Sequence, residues 1–308
     1  MTNEEILALI SKALTTSAGG LMNAQQLEEF ILTGVNSSDF LSEIRVETNI
    51  AKTLDLDTLG VTPRMLRKGV EVTSPTAGDA ITPAKRQLIP TEVIAYEAIS
   101  YSWLRQALGG MPDFNPDAKS KAEEQIQRLL QQQYLADIVD LYFNGDTDSE
   151  NDFLKCIDGI LVRAAADSGV HKDSFTESSS LHEVMNAMLD ELPEPYQQDP
   201  DKLRFYVSPK TRRKYRKQES ARETIKGDAA RYSKMPLYCE DVLVKPVFAI
   251  PDDKIILTLP LNNVVGWGTQ MMVEREKNIL KRQVDLVMAS DVDANYVISD
   301  AVVVFTLT

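Results

Sequence analysis

Only two cysteines and two histidines occur in the 308 residues. Cys156 and Cys239 stand far apart, which leaves no disulfide framework, no CxxC redox pair and no cysteine-based zinc spacing. Two thiols kept reduced in cytosol-like conditions is the expected state. His171 and His182 neither neighbour a cysteine nor form an HxxxH pair, so no histidine base or metal ligand stands out. The phosphate loop GxxxxGK, the GxSxG elbow and HExxH are all missing. Gly266, Trp267 and Gly268 begin a GxG but lack the third glycine and a following helical pattern; they read as a strand-end turn. No apolar run approaches the length that spans a bilayer. The opening MTNEEILALISKAL is acidic and lacks the basic n-region of a signal peptide. No catalytic residue, metal site, cofactor or membrane contact is expected.

A surplus of basic charge is also missing. Lys plus Arg number 33 against 46 Asp plus Glu, a formal net charge of −13. Such a chain repels polyanions over most of its surface. Hydrophobic content of 43% and charged content of 26% are those of a globular protein. The length allows one large domain or two ordinary ones.

Acidic residues gather at 144–153, NGDTDSENDF, where Asp146, Asp148, Glu150 and Asp152 alternate. A calcium loop would need Gly at Asn151 and Glu at Ile157. A solvated loop is expected instead. Glu183 and Asp190 sit on an ordinary amphipathic helix and are not read as an acid–base pair.

The spacing predicts short amphipathic helices over 3–14 and 23–36. Residues 46–95 differ: they are rich in Thr, Pro and Gly and carry few large apolar side chains. Pro75 and Gly78 mark a hairpin tip. The 61–86 part is net basic through Arg64, Arg67, Lys68, Lys85 and Arg86, against Glu71 and Asp79. Such a segment cannot build a core, and it reads as an extended β-hairpin arm lying on another molecule. A long helix follows over 115–142, with Asn115 as N-cap, Pro116 at its first position and a stop at Asn144 and Gly145. Its predicted length is roughly 40 Å. A helix is expected over 180–192 and a strand over 203–207. Ser208 and Pro209 then open a helix carrying SPKTRRKYRKQ, in which six of the eight residues from Lys210 to Lys217 are basic. Tyr215 is its expected inward anchor, with Thr211 on the same side. From 237 onward the pattern is β.

This order of parts resembles the major capsid proteins of tailed bacteriophages, the Hong Kong 97-like fold family. NPDAKSKAEEQIQRLLQQQYLADIVDLYFNGD is similar to the family's spine helix and its exit. FLKCIDGILVRA, SLHEVMNAMLDELPEPYQQDPDKLRFYVSPKTRRKYRK and KMPLYCEDVLVKPVFAIP resemble the segments that follow. The resemblance implies an α+β fold. Its parts are an N-terminal arm over 1–45, an extended β-hairpin loop over 46–95, a peripheral domain over 96–175 and 276–308, and an axial domain over 176–275. It also implies pentamers and hexamers of an icosahedral shell enclosing double-stranded DNA with weak contact. Assembly in the host cytoplasm, residence in the virion, and portal and scaffold or decoration partners follow. Arg64, Arg67, Lys68, Lys85 and Arg86 would contact a neighbouring subunit. Arg212, Arg213 and Arg216 would form inter-subunit ion pairs. Neither a large cleaved N-terminal segment nor chain cross-linking through Lys68, Lys85 and Asn278 is expected. An encapsulin-type nanocompartment shell is the alternative within the same fold, kept open by the 3–14 helix. A nucleic-acid-binding module using 210–217 is the alternative outside it.

Overall fold

The computed structural model describes residues 20–22, 38–61, 81–100, 102, 121–176, 179–221, 236–278 and 280–308. The helices expected over 3–14 and 23–36, the hairpin tip at Pro75 and Gly78, the cap at Asn115 and Pro116, and Arg64, Arg67 and Lys68 all lie outside these residues.

In chain order the strands are β1 (Gly20–Met22), β2 (Arg45–Ile50), β3 (Leu54–Val61), β4 (Ile81–Leu88) and β5 (Thr91–Ser100). Helices α1 (Lys121–Asn144) and α2 (Ile160–Ala166) follow, then β6 (His171–Phe175), α3 (Leu181–Glu191), α4 (Glu194–Gln197), β7 (Arg204–Val207) and α5 (Pro209–Ser220). The chain ends with β8 (Leu237–Cys239), β9 (Val242–Pro246), β10 (Lys254–Thr258), β11 (Asn263–Asn278), β12 (Gln283–Tyr296) and β13 (Val302–Leu307).

Helix α1 falls on the long helix expected over 115–142, whose first residues lie outside the described ones. Its 24 residues span about 36 Å at 1.5 Å per residue. Tyr134, Leu135, Ile138, Val139, Leu141, Tyr142 and Phe143 are buried along its C-terminal half. The helix stops where two passes of the chain touch backbone to backbone. Gly145 N–H donates to the Leu141 carbonyl at 2.9 Å, and Gly159 N–H donates to the Gly145 carbonyl at 2.8 Å. A Cβ on Gly145 would stand 2.3 Å from the Ile157 carbonyl oxygen, and one on Gly159 2.7 Å from that of Leu141. Only glycine fits that approach.

One sheet runs β1-β11-β12-β5, with β2 added in parallel to β11. A second runs β6-β13-β10-β7-β9-β8, and β3 pairs with β4 alone. In the six-stranded sheet Ile255, Ile256 and Leu257 of β10 are all fully buried. Ile256 joins the core that holds the end of α1, whereas Ile255 and Leu257 join the core under α3 and α5. Both faces of β10 are therefore covered, which is why KIILT reads as an unbroken apolar run.

The sheets cut across the domain boundaries expected from sequence. Strand β11 starts at Asn263, inside 176–275, yet belongs to the first sheet. Strand β13, inside 276–308, pairs with β10 and β6 in the second. Val302, Val303, Val304 and Phe305 are consecutive and all buried, so the segment needs cover on both faces.

Candidate functional site

Two regions hold those cations singled out by the sequence that fall among the described residues. The first is the root of the β3–β4 hairpin. Its ladder runs from Leu54 opposite Leu88 to Val61 opposite Ile81. At the root, Leu56 and Leu88 are buried with Ile50 and Val264 in a small core of their own. Lys85 Nζ lies 3.5 Å from Asp55 and 3.6 Å from Asp57, in the open. Asp57 first and Asp55 second raise the Lys85 pKa. Arg86 turns inward instead. Its guanidinium pairs with Asp167, donates to Ser299 Oγ at 2.6 Å and sits 4.2 Å above the Tyr296 ring. Burial pushes the Asp167 carboxyl up, but hydrogen bonds from Gly169 N–H, the Tyr296 hydroxyl and Arg86 outweigh it and hold it at about 2. The described arm cations thus have carboxylate partners in their own chain, because both stand near the hairpin's root.

Asp293 fastens the same root from the other side. It accepts Ile89 N–H and the Arg163 guanidinium, each at 2.7 Å. Burial raises its pKa, against the pull of Arg163. Asn295 Nδ2 donates to the Gln87 carbonyl at 3.1 Å.

The second region is α5. Ser208 caps it, accepting Thr211 N–H at 3.1 Å and donating to Asp252 at 2.6 Å. Lys210 pairs with the same Asp252 at 3.1 Å. Those two contacts, with Arg213 nearby, lower the Asp252 pKa. Thr211 and Tyr215 are buried, and the Tyr215 hydroxyl donates to the Tyr238 carbonyl at 3.1 Å. The expected anchor is in place. Lys210, Arg213, Lys214 and Lys217 are exposed, while Arg212 and Arg216 are half-buried. Burial first and Arg216 second lower the Arg212 pKa. Arg212 and Arg213 line an open cleft of about 450 Å³ between α5 and the 38–40 and 246–248 segments.

The structure also shows features that sequence reasoning missed. Met272, Ala289 and Ile94 stand in one cross-strand row over β11, β12 and β5. Ile94 and Tyr96 are exposed on that face. Alternation in TEVIAYEAIS carries the signal, since apolar residues fall on both of its phases. Cys239 and His182, distant in sequence, meet at 3.5 Å. The thiol is buried under α3, as a packing element. The acidic loop closes on itself: Asp146 accepts Asp148 N–H at 3.0 Å, and Asn151 accepts Phe153 N–H at 3.0 Å. Among the described residues no group of three His, Cys, Asp or Glu could hold a metal ion, and no helix is long and apolar enough to cross a membrane.

No family model matches the sequence. YqbE of Bacillus subtilis (strain 168), provisionally named a prophage capsid protein, is 25% identical over 316 residues, 98% of this chain and 97% of its own. The satellite phage P4 procapsid including size determination (Sid) protein matches with TM-score 0.64 at 16% identity, covering 92% of this chain and 99% of that one. The capsid of the empty GTA particle computed with C5 symmetry gives TM-score 0.60 at 13% identity, over 87% and 88%. A virus-like particle from Pyrococcus furiosus gives 0.53 at 12%, over 90% and 96%.

Proposed function

We propose that this chain, which has the Hong Kong 97-like fold of phage capsid proteins, is the subunit that builds a phage-type capsid shell. It assembles into pentamers and hexamers of a closed icosahedral shell around double-stranded DNA. The first sheet with α1 serves as the peripheral part and the second sheet with α3 and α5 as the axial part. Assembly takes place in the host cytoplasm with portal and scaffold or decoration partners, and the product is a virion. The role is structural rather than catalytic.

The observation that carries the reading is the β3–β4 hairpin. Its ladder has eight pairs, but its described apolar cover ends near Leu54, Leu56 and Leu88. A two-stranded ribbon is marginal in water without a surface to lie on. A neighbouring subunit supplies that surface, and repetition by symmetry turns many modest contacts into a stable shell. Arg64, Arg67 and Lys68 are the arm cations assigned to that neighbour, together with the exposed Lys85, which also pairs with Asp55 and Asp57 of its own chain. The net charge of −13 suits a container that must not grip its DNA.

Electron microscopy of the purified full chain is expected to show closed particles. Replacing residues 62–80 by a two-residue Asn-Gly turn keeps Arg86, Leu88 and the ladder. That variant should remain folded and form no shells. Normal particles from it would overturn the role given to the arm.

The fold likeness to the Pyrococcus virus-like particle supports a second reading, an encapsulin-type compartment. Nuclease-resistant DNA in the particles favours the capsid; an enzyme cargo without DNA favours the compartment. A module that grips nucleic acid through 210–217 fits less well, because Lys210 is paired with Asp252 and Arg212 is half-buried. Tight, salt-dependent DNA binding by unassembled subunits would reverse that preference.

A further inference from the structure

The two ends of β9 differ in chemistry. One end is the β8–β9 turn, where Glu240 and Asp241 have φ of 44° and 65°. Positive φ at both central residues is the requirement of a type I′ hairpin, which favours Asn and Gly. Glutamate is poorly suited to it. This tight tip presents two exposed carboxylates at a conformational cost, and Glu240 Oε1 lies 3.7 Å from His182 Nε2 of its own chain. Tyr238 beside them is 54% exposed. The other end of β9 leads into the cleft of about 450 Å³ whose walls include Arg212, Arg213 and Phe248. Phe248 is 62% exposed. Arg212 Nε is buried and has no hydrogen-bond partner among the described residues. Asp39 is the carboxylate among the lining residues, so the two arginines leave the cleft cationic.

We propose that the Glu240 and Asp241 tip of one copy, with Tyr238, docks into the Arg212, Arg213 and Phe248 cleft of the next copy. The proposal rests on the shell reading and specifies its axial contact. The charges are complementary, and each side offers one exposed aromatic beside its charges. The placement matters as much as the chemistry. Donor and acceptor lie at opposite ends of a five-residue strand, about 17 Å apart. A contact between unlike ends is head-to-tail, and head-to-tail contacts close into rings when the rotation allows. The pairing also offers an acceptor to the half-buried Arg212, whose Nε has none among the described residues.

The test uses the full chain and three variants. Glu240→Lys with Asp241→Lys, and separately Arg212→Glu with Arg213→Glu, are each expected to reduce closed particles by about tenfold or more. The chain with all four substitutions restores opposite charges and is expected to recover particles. Melting curves of unassembled subunits check that each variant is folded. If wild type forms particles and either reversed pair forms them equally well, the contact is wrong. The same holds if the fourfold chain is folded and yet forms none, or if the arginine reversal lowers only the DNA content. If wild type forms no particles, the shell reading fails and this contact falls with it.

Discussion

The Trp267 indole N–H donates to the Tyr134 hydroxyl at 3.1 Å, and that hydroxyl shares a 2.7 Å hydrogen bond with Ser290. All three groups are buried. The relay bolts the spine helix across both long strands, β11 and β12. Tyr134→Phe keeps the ring and removes the oxygen, so the indole N–H loses its acceptor. An unmet buried donor costs about 1–3 kcal/mol. Urea denaturation should show that loss as a lower midpoint; an unchanged midpoint would mean the bond contributes nothing net.

The Gly145 and Gly159 approach makes a harsher prediction. Gly159→Ala places a methyl group 2.7 Å from the Leu141 carbonyl oxygen and 2.8 Å from that of Phe143. Backbone on both sides cannot yield cheaply. A loss of about 3 kcal/mol or more is expected, seen as insoluble chain or a sharply lower melting temperature. Soluble chain with wild-type stability would contradict the backbone contact.

Arg86→Lys separates charge from shape. Lysine keeps the pairing with Asp167 but loses the planar group over Tyr296 and the fork that reaches Ser299. A cost of about 1 kcal/mol is expected at the arm root. Hydrogen exchange should quicken in β3 and β4 more than in β10. Equal exchange in both would show that the stack does not hold the arm.

Asp167 gives the pH dependence. Its folded value of about 2 lies below the ordinary 3.8. A carboxyl depressed by folding contributes stability that is fully present above its unfolded value. That contribution is lost as pH falls from near 4 through about 2. Asp167→Asn should therefore be less stable than wild type at neutral pH, with the difference narrowing toward pH 2. Asp293, raised by burial, works in the opposite sense. A wild-type to Asn gap that stays constant from pH 6 to pH 2 would rule out this role for Asp167.

Parts of this architecture were legible in the residues themselves. Ile126, Leu130, Tyr134, Ile138 and Leu141 repeat with a helical period over about four turns. Thr211 and Tyr215 stand one helical turn apart, so their shared inward face follows from geometry. Strand pairing was less accessible. Val302 to Phe305 is apolar at every position, which says that both faces are covered but not by which sheet. Arg86 is expected from sequence to contact a neighbouring subunit, and its pairing within the chain was not legible: those partners lie 81 and 213 residues away, and only the folded chain brings them together. The Gly145 stop was visible as a helix terminator, whereas its contact with Gly159 depends on how the chain returns.

Strand β10 carries a mechanical consequence. Ile256 is wedged in one core, and its neighbours Ile255 and Leu257 in the other. A shift of either core is therefore felt by the other through alternate side chains of the same short strand. Arg86, Asp167 and Asp293 fasten the root of the β3–β4 hairpin to this body, and β5 backs β12 as far as Gln283. In the shell proposed above, the hairpin arm beyond that fastening, rather than the shared strand, would take up differences in local curvature.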